Sequence, residues 1–190
     1  MSAPLRIVLV RPRDPNNIGA AARAMANFGL SDLRVVAPHP PVWREAKSAV
    51  GAEDLLRGAR EAGTIAEAAA GCRHVWATSA LKGRRPGLPV LDLPGLRRPR
   101  GGAAILFGPE KTGLTGDDLA HASRLIRIPT GARQPSMNLA SAVAVVCYEW
   151  ARDHSPPSAA SRDEPAGAEQ KRRLWGLVEA LAKSVGWPAG

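Results

Sequence analysis

Two short β-branched runs, at residues 6–10 and 33–36, lie on either side of a helical segment at residues 18–28. Asn16 or Asn17 is the candidate N-cap of this helix, and Gly29 is the residue expected to end it. A strand, a helix and a second strand within about 30 residues form a βαβ unit, whose two strands are parallel. The chain is therefore expected to form an α/β domain built on a parallel sheet.

The alternation of strands and helices continues along the chain. Further strands are predicted at residues 74–77, 103–107 and 125–128, and helical patterns at residues 43–49, 52–62, 65–70, 115–122, 138–150 and 169–185. The segment 138–150 is apolar on almost all sides, which predicts that it is buried or lies at an interface. The expected fold class is α/β, with a parallel sheet of five or six strands.

The chain has 190 residues, enough for one main domain with a short appendage. We expect a main domain at residues 1–152, a Pro- and Ser-rich linker at 153–168, and a helical extension at 169–190. The apolar residues of the extension share one helix face; they are Leu174, Leu177, Val178, Leu181 and Val185. No apolar run approaches the about 20 residues of a membrane span, and no signal-peptide pattern is visible, so a soluble, cytoplasmic protein is expected.

The charge is strongly positive, with 26 Lys and Arg against 17 Asp and Glu and a formal net charge of +9. Such an excess attracts polyanions, of which nucleic acid is the commonest in the cytosol. A compositional preference for Arg, Ala, Gly and Pro is the competing explanation, but it accounts for the choice of arginine rather than for the net sign. Cys72 and Cys147 are predicted to be free thiols, and the four histidines lack metal-ligand spacing.

Two apolar runs, 103–107 and 125–128, each lead into a loop of Gly, Pro and small polar residues. Loops at the ends of buried parallel strands are where α/β domains bind ligands. The first loop partly resembles a phosphate-binding P-loop, but Leu114 stands where that motif needs its lysine. Ser136 lies outside any G-x-S-x-G pattern, which argues against a serine hydrolase. The loops offer backbone amides and one carboxylate, Glu110, which suits a neutral-to-cationic organic cofactor better than a free phosphate.

Three motifs occur in order: residues 16–25 (NNIGAAARAM), 106–114 (LFGPEKTGL), and 128–130 (IPT) with 136–140 (SMNLA). They resemble the motifs of the SPOUT superfamily of RNA methyltransferases, specifically its SpoU (TrmH-like) branch of ribose 2′-O-methyltransferases. The resemblance spans residues 5–152. Within the branch the chain is most similar to the TrmJ type, which methylates tRNA in the anticodon loop, because the first strand begins by residue 6 and the tail 174–187 resembles the TrmJ tail.

The resemblance implies a SPOUT fold with a C-terminal trefoil knot, a homodimer, an RNA substrate of the tRNA class, and S-adenosylmethionine as the methyl donor without a metal. The residues implied to bind the cofactor are Thr78, Ser79, Ala80, Gly108, Ile128, Pro135, Ser136 and Met137. The residues implied to be catalytic are Arg23, Asn17, Glu110, Ser136 and Asn138. Arg23 would contact the RNA and activate or orient the ribose 2′-hydroxyl, and Glu110 would orient an arginine or order its loop, across the dimer.

Simpler structural roles compete with some of these assignments. Asn17, Ser136 and Asn138 each precede a predicted helix and could cap it, and Thr78 and Ser79 could close a strand end. Gln134 and Pro135 stand where relatives usually have an aromatic residue, so the substrate is less defined than the reaction. The alternatives are an rRNA 2′-O-methyltransferase and a catalytically silent RNA-binding protein of the same fold.

Overall fold

The computed structural model describes residues 4–39, 43–80, 87–152 and 167–187. Contacts divide the chain into two compact units, Met1–His154 and Ser155–Gly190. Most of the expected linker at 153–168, and the first part of the basic loop expected at residues 82–89, lie outside the described residues.

A seven-stranded parallel sheet forms the centre of the first unit. The strands are β1 (Leu5–Val10), β2 (Asp32–Val36), β3 (Arg60–Ala62), β4 (His74–Thr78), β5 (Val90–Asp92), β6 (Ala103–Phe107) and β7 (Arg124–Arg127). Their order across the sheet is β3-β2-β1-β6-β4-β7-β5. The α/β class with a parallel sheet is thus confirmed, whereas the expected strand number was too low.

Helices cover both faces of the sheet. They are α1 (Pro15–Asn27), α2 (Glu53–Gly58), α3 (Ile65–Ala69), α4 (Gly116–Leu119) and α5 (Leu139–Arg152), with α6 (Ala168–Ser184) in the second unit. Side chains of α1, α2 and α5 pack with Ile7 and Ile105 on one face. Side chains of α3, and of residues just before and after α4, pack with Val8 and Leu106 on the other face. Because both faces are covered, the strands are apolar on both sides, as β6 is along its whole length.

The two strands that the sequence pattern missed are three-residue strands at the sheet edges. β3 falls where a helix was expected over residues 52–62, but that helix, α2, already ends at Gly58. Ala59 takes an extended conformation, and residues 60–62 then pair with β2, with Arg34 opposite Arg60. Only this long-range pairing makes the segment a strand. The helix expected at 43–49 is likewise reduced to a 3₁₀ turn, Trp43–Glu45.

The N-terminus of α1 corrects one expectation. Asp14, rather than Asn16 or Asn17, is the N-cap, and its carboxylate accepts the Asn16 amide at 2.8 Å. Pro15 then fills the first turn, where its missing N–H costs nothing. Gly29 follows the helix with φ +69°, as expected for the residue that ends it.

The α5 helix is buried along one side, whereas its composition predicted burial on almost all sides. Leu139, Val143, Val146, Cys147 and Trp150 are buried, whereas Tyr148 is exposed and its ring packs edge-on against Phe28 at 6.0 Å. Both cysteines are free thiols; Cys147 is buried and Cys72 half-buried. Among the described residues, no helix is long and apolar enough to cross a membrane.

Candidate functional site

A cavity of about 360 Å³ opens at the carboxyl end of the sheet, where β4, β6 and β7 lie side by side. It is lined by residues from three loops and the adjoining strand and helix ends: Thr78, Ser79, Ala80, Phe107, Gly108, Pro109, Glu110, Lys111, Thr112, Gly113, Leu114, Leu119, Ile126, Ile128, Thr130, Pro135, Ser136, Met137, Leu139 and Ala142. All eight residues predicted to bind the cofactor are among them. The strand order reverses beside β6, and such a switch point is where α/β sheets bind ligands.

The first loop, residues 108–114, folds back tightly on itself. The amide of Gly113 donates to the carbonyl oxygen of Pro109 at 2.9 Å, and Gly113 has φ +67°. A Cβ on Gly108 would lie 2.4 Å from the Leu114 nitrogen and 2.5 Å from the Gly113 carbonyl carbon. The loop's own backbone therefore requires glycine at position 108, in addition to any approach by a ligand.

Hydrogen bonds hold the other two loops. The Thr78 hydroxyl donates to the Leu106 carbonyl oxygen at 2.9 Å, and the Ser79 amide donates to the Ile126 carbonyl oxygen at 3.1 Å. These bonds fix the end of β4 between its two neighbours. In the loop 128–138, the Thr130 hydroxyl donates to the Pro135 carbonyl oxygen at 3.0 Å. This closes a turn and leaves Ser136 and Met137 half-buried at the cavity wall.

Three of the predicted catalytic residues form one hydrogen-bonded chain. Asn17 Nδ2 donates to Glu110 Oε1 at 2.8 Å, and Asn138 Nδ2 donates to Asn17 Oδ1 at 2.9 Å. Asn138 Oδ1 in turn accepts the backbone amides of Ala140 and Ser141 at the start of α5. A carboxylate only accepts, so Glu110 dictates the orientation of both asparagine amides.

These hydrogen bonds decide between helix capping and contact across the site for Asn17 and Asn138. Asn17 bonds across the site and does not cap α1, whereas Asn138 both caps α5 and bonds across the site. Glu110 also accepts the backbone amides of Arg13 and Asp14, at 3.1 and 3.4 Å. Glu110 therefore ties the loop 108–114 to the start of α1 within the same chain.

The carboxyl group of Glu110 is held in its charged form. Partial burial by itself raises its pKa, but the hydrogen bonds donated by Asn17 and by backbone amides, including those of Arg13 and Asp14, outweigh this effect. The pKa of Glu110 consequently lies below its usual value. An ionised Glu110 serves as an acceptor that positions donors, and it is not suited to supply a proton near neutral pH.

A second carboxylate, Asp118, was missed by the sequence analysis. It is 5% exposed, and it receives both terminal nitrogens of Arg11, with Nη1 3.0 Å from Oδ1. Arg11 follows β1 with φ +48°, a rare conformation for a residue with a side chain. The pattern Thr115-x-x-Asp118 was visible as a capping box, and the structure forms it. The partnership with Arg11 had no local signal, because the two residues are 107 positions apart.

Arg23 is placed differently from the other predicted catalytic residues. It is exposed on α1 and does not line the cavity. It lies six residues beyond Asn17, which is about 9 Å along the helix axis. Ser136 and Glu110 do line the cavity, whereas Asn17 is connected to it through its bond to Glu110, and Asn138 through its bond to Asn17. Over the described ranges, no group of three or more His, Cys, Asp or Glu side chains is arranged to hold a metal ion.

Residues 4–148 match the sequence model of the SpoU rRNA Methylase family, and the chain therefore belongs to that family. Its relatives include the tRNA (cytidine/uridine/adenosine-2′-O-)-methyltransferase TrmJ of Pseudomonas aeruginosa (strain UCBPP-PA14), 42% identical over 154 residues. That alignment covers 76% of this chain and 59% of the relative, so this chain spans less than two thirds of the relative's length.

Solved structures extend the comparison. The crystal structure of TrmJ from Z. mobilis ZM4 matches with a TM-score of 0.74 and 39% identity, covering 99% of this chain and 83% of that one. An AdoMet-bound rRNA methyltransferase from Sinorhizobium meliloti matches with a TM-score of 0.64 and 25% identity, covering 82% of this chain and 58% of that one.

Proposed function

We propose that the chain is an S-adenosylmethionine-dependent RNA ribose 2′-O-methyltransferase that acts on tRNA. The observation that carries the proposal is that the eight residues expected to bind the cofactor, from three separate segments of a SpoU-family chain, line a single cavity. The name of the Pseudomonas aeruginosa relative supports the reaction and the substrate class. The AdoMet-bound structure from Sinorhizobium meliloti supports the cofactor.

The cavity has the character that this cofactor needs. Its volume of about 360 Å³ falls within the range of about 300–1,000 Å³ usual for small-molecule sites. Ile126, Ile128, Met137 and Leu139 give it an apolar side, which suits an adenine ring. Backbone groups of the loops and the polar residues of the 78–80 segment make the other side of the cavity polar. When bound, S-adenosylmethionine supplies an electrophilic methyl group, whose transfer to oxygen leaves neutral S-adenosylhomocysteine.

The residues of the chain then divide into two tasks. The hydrogen bonds that connect Glu110, Asn17 and Asn138 position the loop 108–114 and the starts of α1 and α5. Ser136 contacts the cofactor from the cavity wall. Arg23 acts on the RNA, orienting the ribose 2′-hydroxyl and its neighbouring phosphate. An arginine is a poor general base because its guanidinium keeps its proton in proteins, so orientation, which raises the effective concentration of the nucleophile, is its main contribution.

The assembly proposed is a homodimer with a C-terminal trefoil knot, in the cytoplasm and without a metal. Residues 1–152 form the methyltransferase domain, residues 153–168 a linker, and residues 169–190 a helical extension with an amphipathic helix. Because Arg23 is exposed and outside the cavity lining, we assign it to the RNA held at the partner subunit's cavity. This placement makes each reaction site depend on both subunits.

The specific substrate proposed is a nucleotide of the tRNA anticodon loop. An rRNA substrate is the second candidate, since the family description and the Sinorhizobium meliloti neighbour both name rRNA. Transfer of labelled methyl from S-adenosylmethionine to a tRNA transcript and to rRNA, followed by nuclease mapping, tests the choice. A 2′-O-methyl nucleotide in the anticodon loop of the tRNA is expected. Label in rRNA alone would show that rRNA is the substrate. Absence of label in both RNAs would contradict the proposal that the protein is an enzyme.

A further inference from the structure

The amino edge of the sheet, opposite the cavity, carries a row of arginines. Strands β6, β4 and β7 are neighbours. Arg100 lies three residues before β6, Arg73 directly precedes β4, and Arg124 begins β7; all three are exposed. Neighbouring strands are about 4.8 Å apart, so the three strands span about 10 Å across the sheet, and Arg124, which lies opposite Trp76, is three residues farther along the strand direction than Arg73. A five-residue strand is about 16 Å long, which separates Arg73 and Arg100 from the loops at the other edge, whereas Arg124 lies two residues before Ile126 of the cavity lining.

The backbone that bears two of these arginines is held in place. The amide of Arg73 donates to the Gly102 carbonyl oxygen at 2.9 Å, and His74 Nε2 lies 3.2 Å from the Arg100 carbonyl oxygen. Gly101 has φ +89°, and a Cβ there would be 3.2 Å from the aliphatic stem of Arg73. The loop before β6 therefore packs on the Arg73 stem and presents the charged ends of the row to solvent.

A further arginine anchors the same loop from its other side. The guanidinium of Arg98 donates to the Trp150 carbonyl oxygen, with Nε and Nη2 at 2.9 and 2.6 Å, and lies 5.5 Å from the centre of the Trp150 ring. These contacts fasten the loop to the last turn of α5. Arg98 thus has a structural task, whereas Arg73, Arg100 and Arg124 form no ion pair within the described residues.

Two carboxylates near the amino side of the sheet are already paired with other arginines. Asp32, at the start of β2, binds Arg6 and Arg34 at 2.8 and 2.7 Å. Glu149, near the end of α5, binds Arg152 at 2.8 Å. The three arginines of the row form no ion pair with any residue that the structure describes, and their positive charge attracts an anionic partner.

We infer that Arg73, Arg100 and Arg124 bind backbone phosphates of the RNA substrate at a second contact, on the amino side of the sheet. The identity of the RNA rests on the proposed function. A phosphate backbone fits better than a protein surface, because the core of a protein interface is largely apolar. None of the exposed large apolar side chains lies in the segments 71–74, 97–101 and 121–124, all of which the structure describes. Phosphate contacts of this kind set the position of the RNA and its affinity rather than the chemical step.

The test compares two triple variants of the full chain with equal loss of charge. The first is Arg73→Gln, Arg100→Gln and Arg124→Gln. The control is Lys47→Gln, Arg57→Gln and Arg60→Gln, which removes three exposed cations from the β2–β3 side of the molecule. Affinity for a fluorescent tRNA transcript is measured by anisotropy over a salt series, and S-adenosylmethionine affinity by calorimetry. Thermal unfolding of each variant confirms that it is folded.

Three lost phosphate contacts should reduce the slope of log K against log salt by about 2–3 units. Between 50 and 200 mM salt, the wild type should then lose about 20- to 40-fold more affinity than the first variant. Cofactor affinity and kcat at saturating tRNA should stay unchanged, with KM for tRNA raised. Equal slopes for the first variant and the control would overturn the inference. Absence of methyl transfer by the wild type would instead contradict the proposed function, while the difference in slopes would still test the arginine row.

Discussion

At the scale of single residues, the site depends on side chains whose partners lie far away in the sequence. Asn17 joins Glu110, 93 positions away, to Asn138, 121 positions away. Each amide has only one orientation that satisfies both neighbours, because Glu110 accepts and the start of α5 donates. These contacts argue that Asn17 and Asn138 position the site, although both were grouped with Arg23 as catalytic residues by resemblance.

Replacing Asn17 tests this positioning role. Asn17→Ala removes a donor from Glu110 and an acceptor from Asn138, and it should lower the free energy of unfolding by about 1–3 kcal/mol. It should also raise the pKa of Glu110, since the bond from Asn17 is the first of those that lower that pKa. Urea unfolding and a ¹³C NMR titration of Glu110 measure the two effects. Asn16→Ala, at an exposed neighbour on the same helix turn, is the control and should change neither quantity.

Gly108 offers a second residue-scale test. A methyl group there would collide with the Gly113 and Leu114 backbone, so Gly108→Ala should displace the loop and weaken S-adenosylmethionine binding by about tenfold or more, equivalent to about 1.4 kcal/mol. Gly116→Ala is the matched control, because a Cβ at Gly116 meets nothing within 4 Å. Calorimetry with S-adenosylmethionine compares them. Equal cofactor affinity in both variants would contradict the backbone argument.

At the scale of elements, two carboxylates from the segment after β6 hold the loop between β1 and α1. Glu110 accepts the backbone amides of that loop, and Asp118 pairs with Arg11 at its start. The positive φ of Arg11 is maintained by these contacts and by its amide, which donates to the Val36 carbonyl oxygen at 2.8 Å. These contacts therefore hold the loop 108–114 against the start of α1, the helix that carries Arg23.

The Arg11–Asp118 pair should make stability depend on pH. Burial raises the pKa of Asp118, but the bonds from Arg11 and Thr115 outweigh it, so the pKa lies below the usual 3.8. A depressed pKa gives stability that is complete above pH 3.8 and is lost as the pH falls through the lower folded-state value.

Asp118→Asn should therefore cost about 1–3 kcal/mol at neutral pH, and the difference from wild type should shrink below pH 3.8. Urea unfolding at neutral and acidic pH measures both values. Asp117→Asn, at the exposed neighbouring residue, should cost little at either pH. A cost for Asp118→Asn that is the same at both pH values would show that its charge is not the stabilising feature.

At the scale of the whole molecule, the position of Arg23 outside the cavity lining bears on the assembly. A homodimer with sites shared between subunits should have twice the chain mass of 20.0 kDa in light scattering. Arg23→Ala should abolish methyl transfer while leaving S-adenosylmethionine affinity nearly unchanged, because Arg23 is assigned to the RNA.

Mixing subunits decides whether Arg23 acts across the dimer. Co-refolding equal amounts of Arg23→Ala and Gly108→Ala chains should restore about one quarter of wild-type activity, because half of the dimers are mixed and each has one intact composite site. If Arg23 served its own subunit's cavity, no mixed dimer would gain an intact site, and the activity would not rise above that of the parent variants. A monomeric mass would contradict the shared site directly.

The sequence by itself determined the α/β class, the longer strands, α1, α5 and the grouping of the segments 78–80, 108–114 and 128–137 around one cavity. These features have local signals: apolar runs of strand length, Gly and Pro in the loops, and a helix-ending glycine at position 29. The residues at strand ends could be grouped because the carboxyl ends of parallel strands meet at one edge of the sheet.

Only the tertiary structure decided how distant segments meet. It placed β6 between β1 and β4, turned residues 60–62 and 90–92 into edge strands, and paired Arg11 with Asp118. It also explains why position 108 requires glycine, since a side chain there would collide with the backbone of Gly113 and Leu114 in the same loop. None of these has a local pattern, because each depends on contacts between segments that the sequence alone does not bring together.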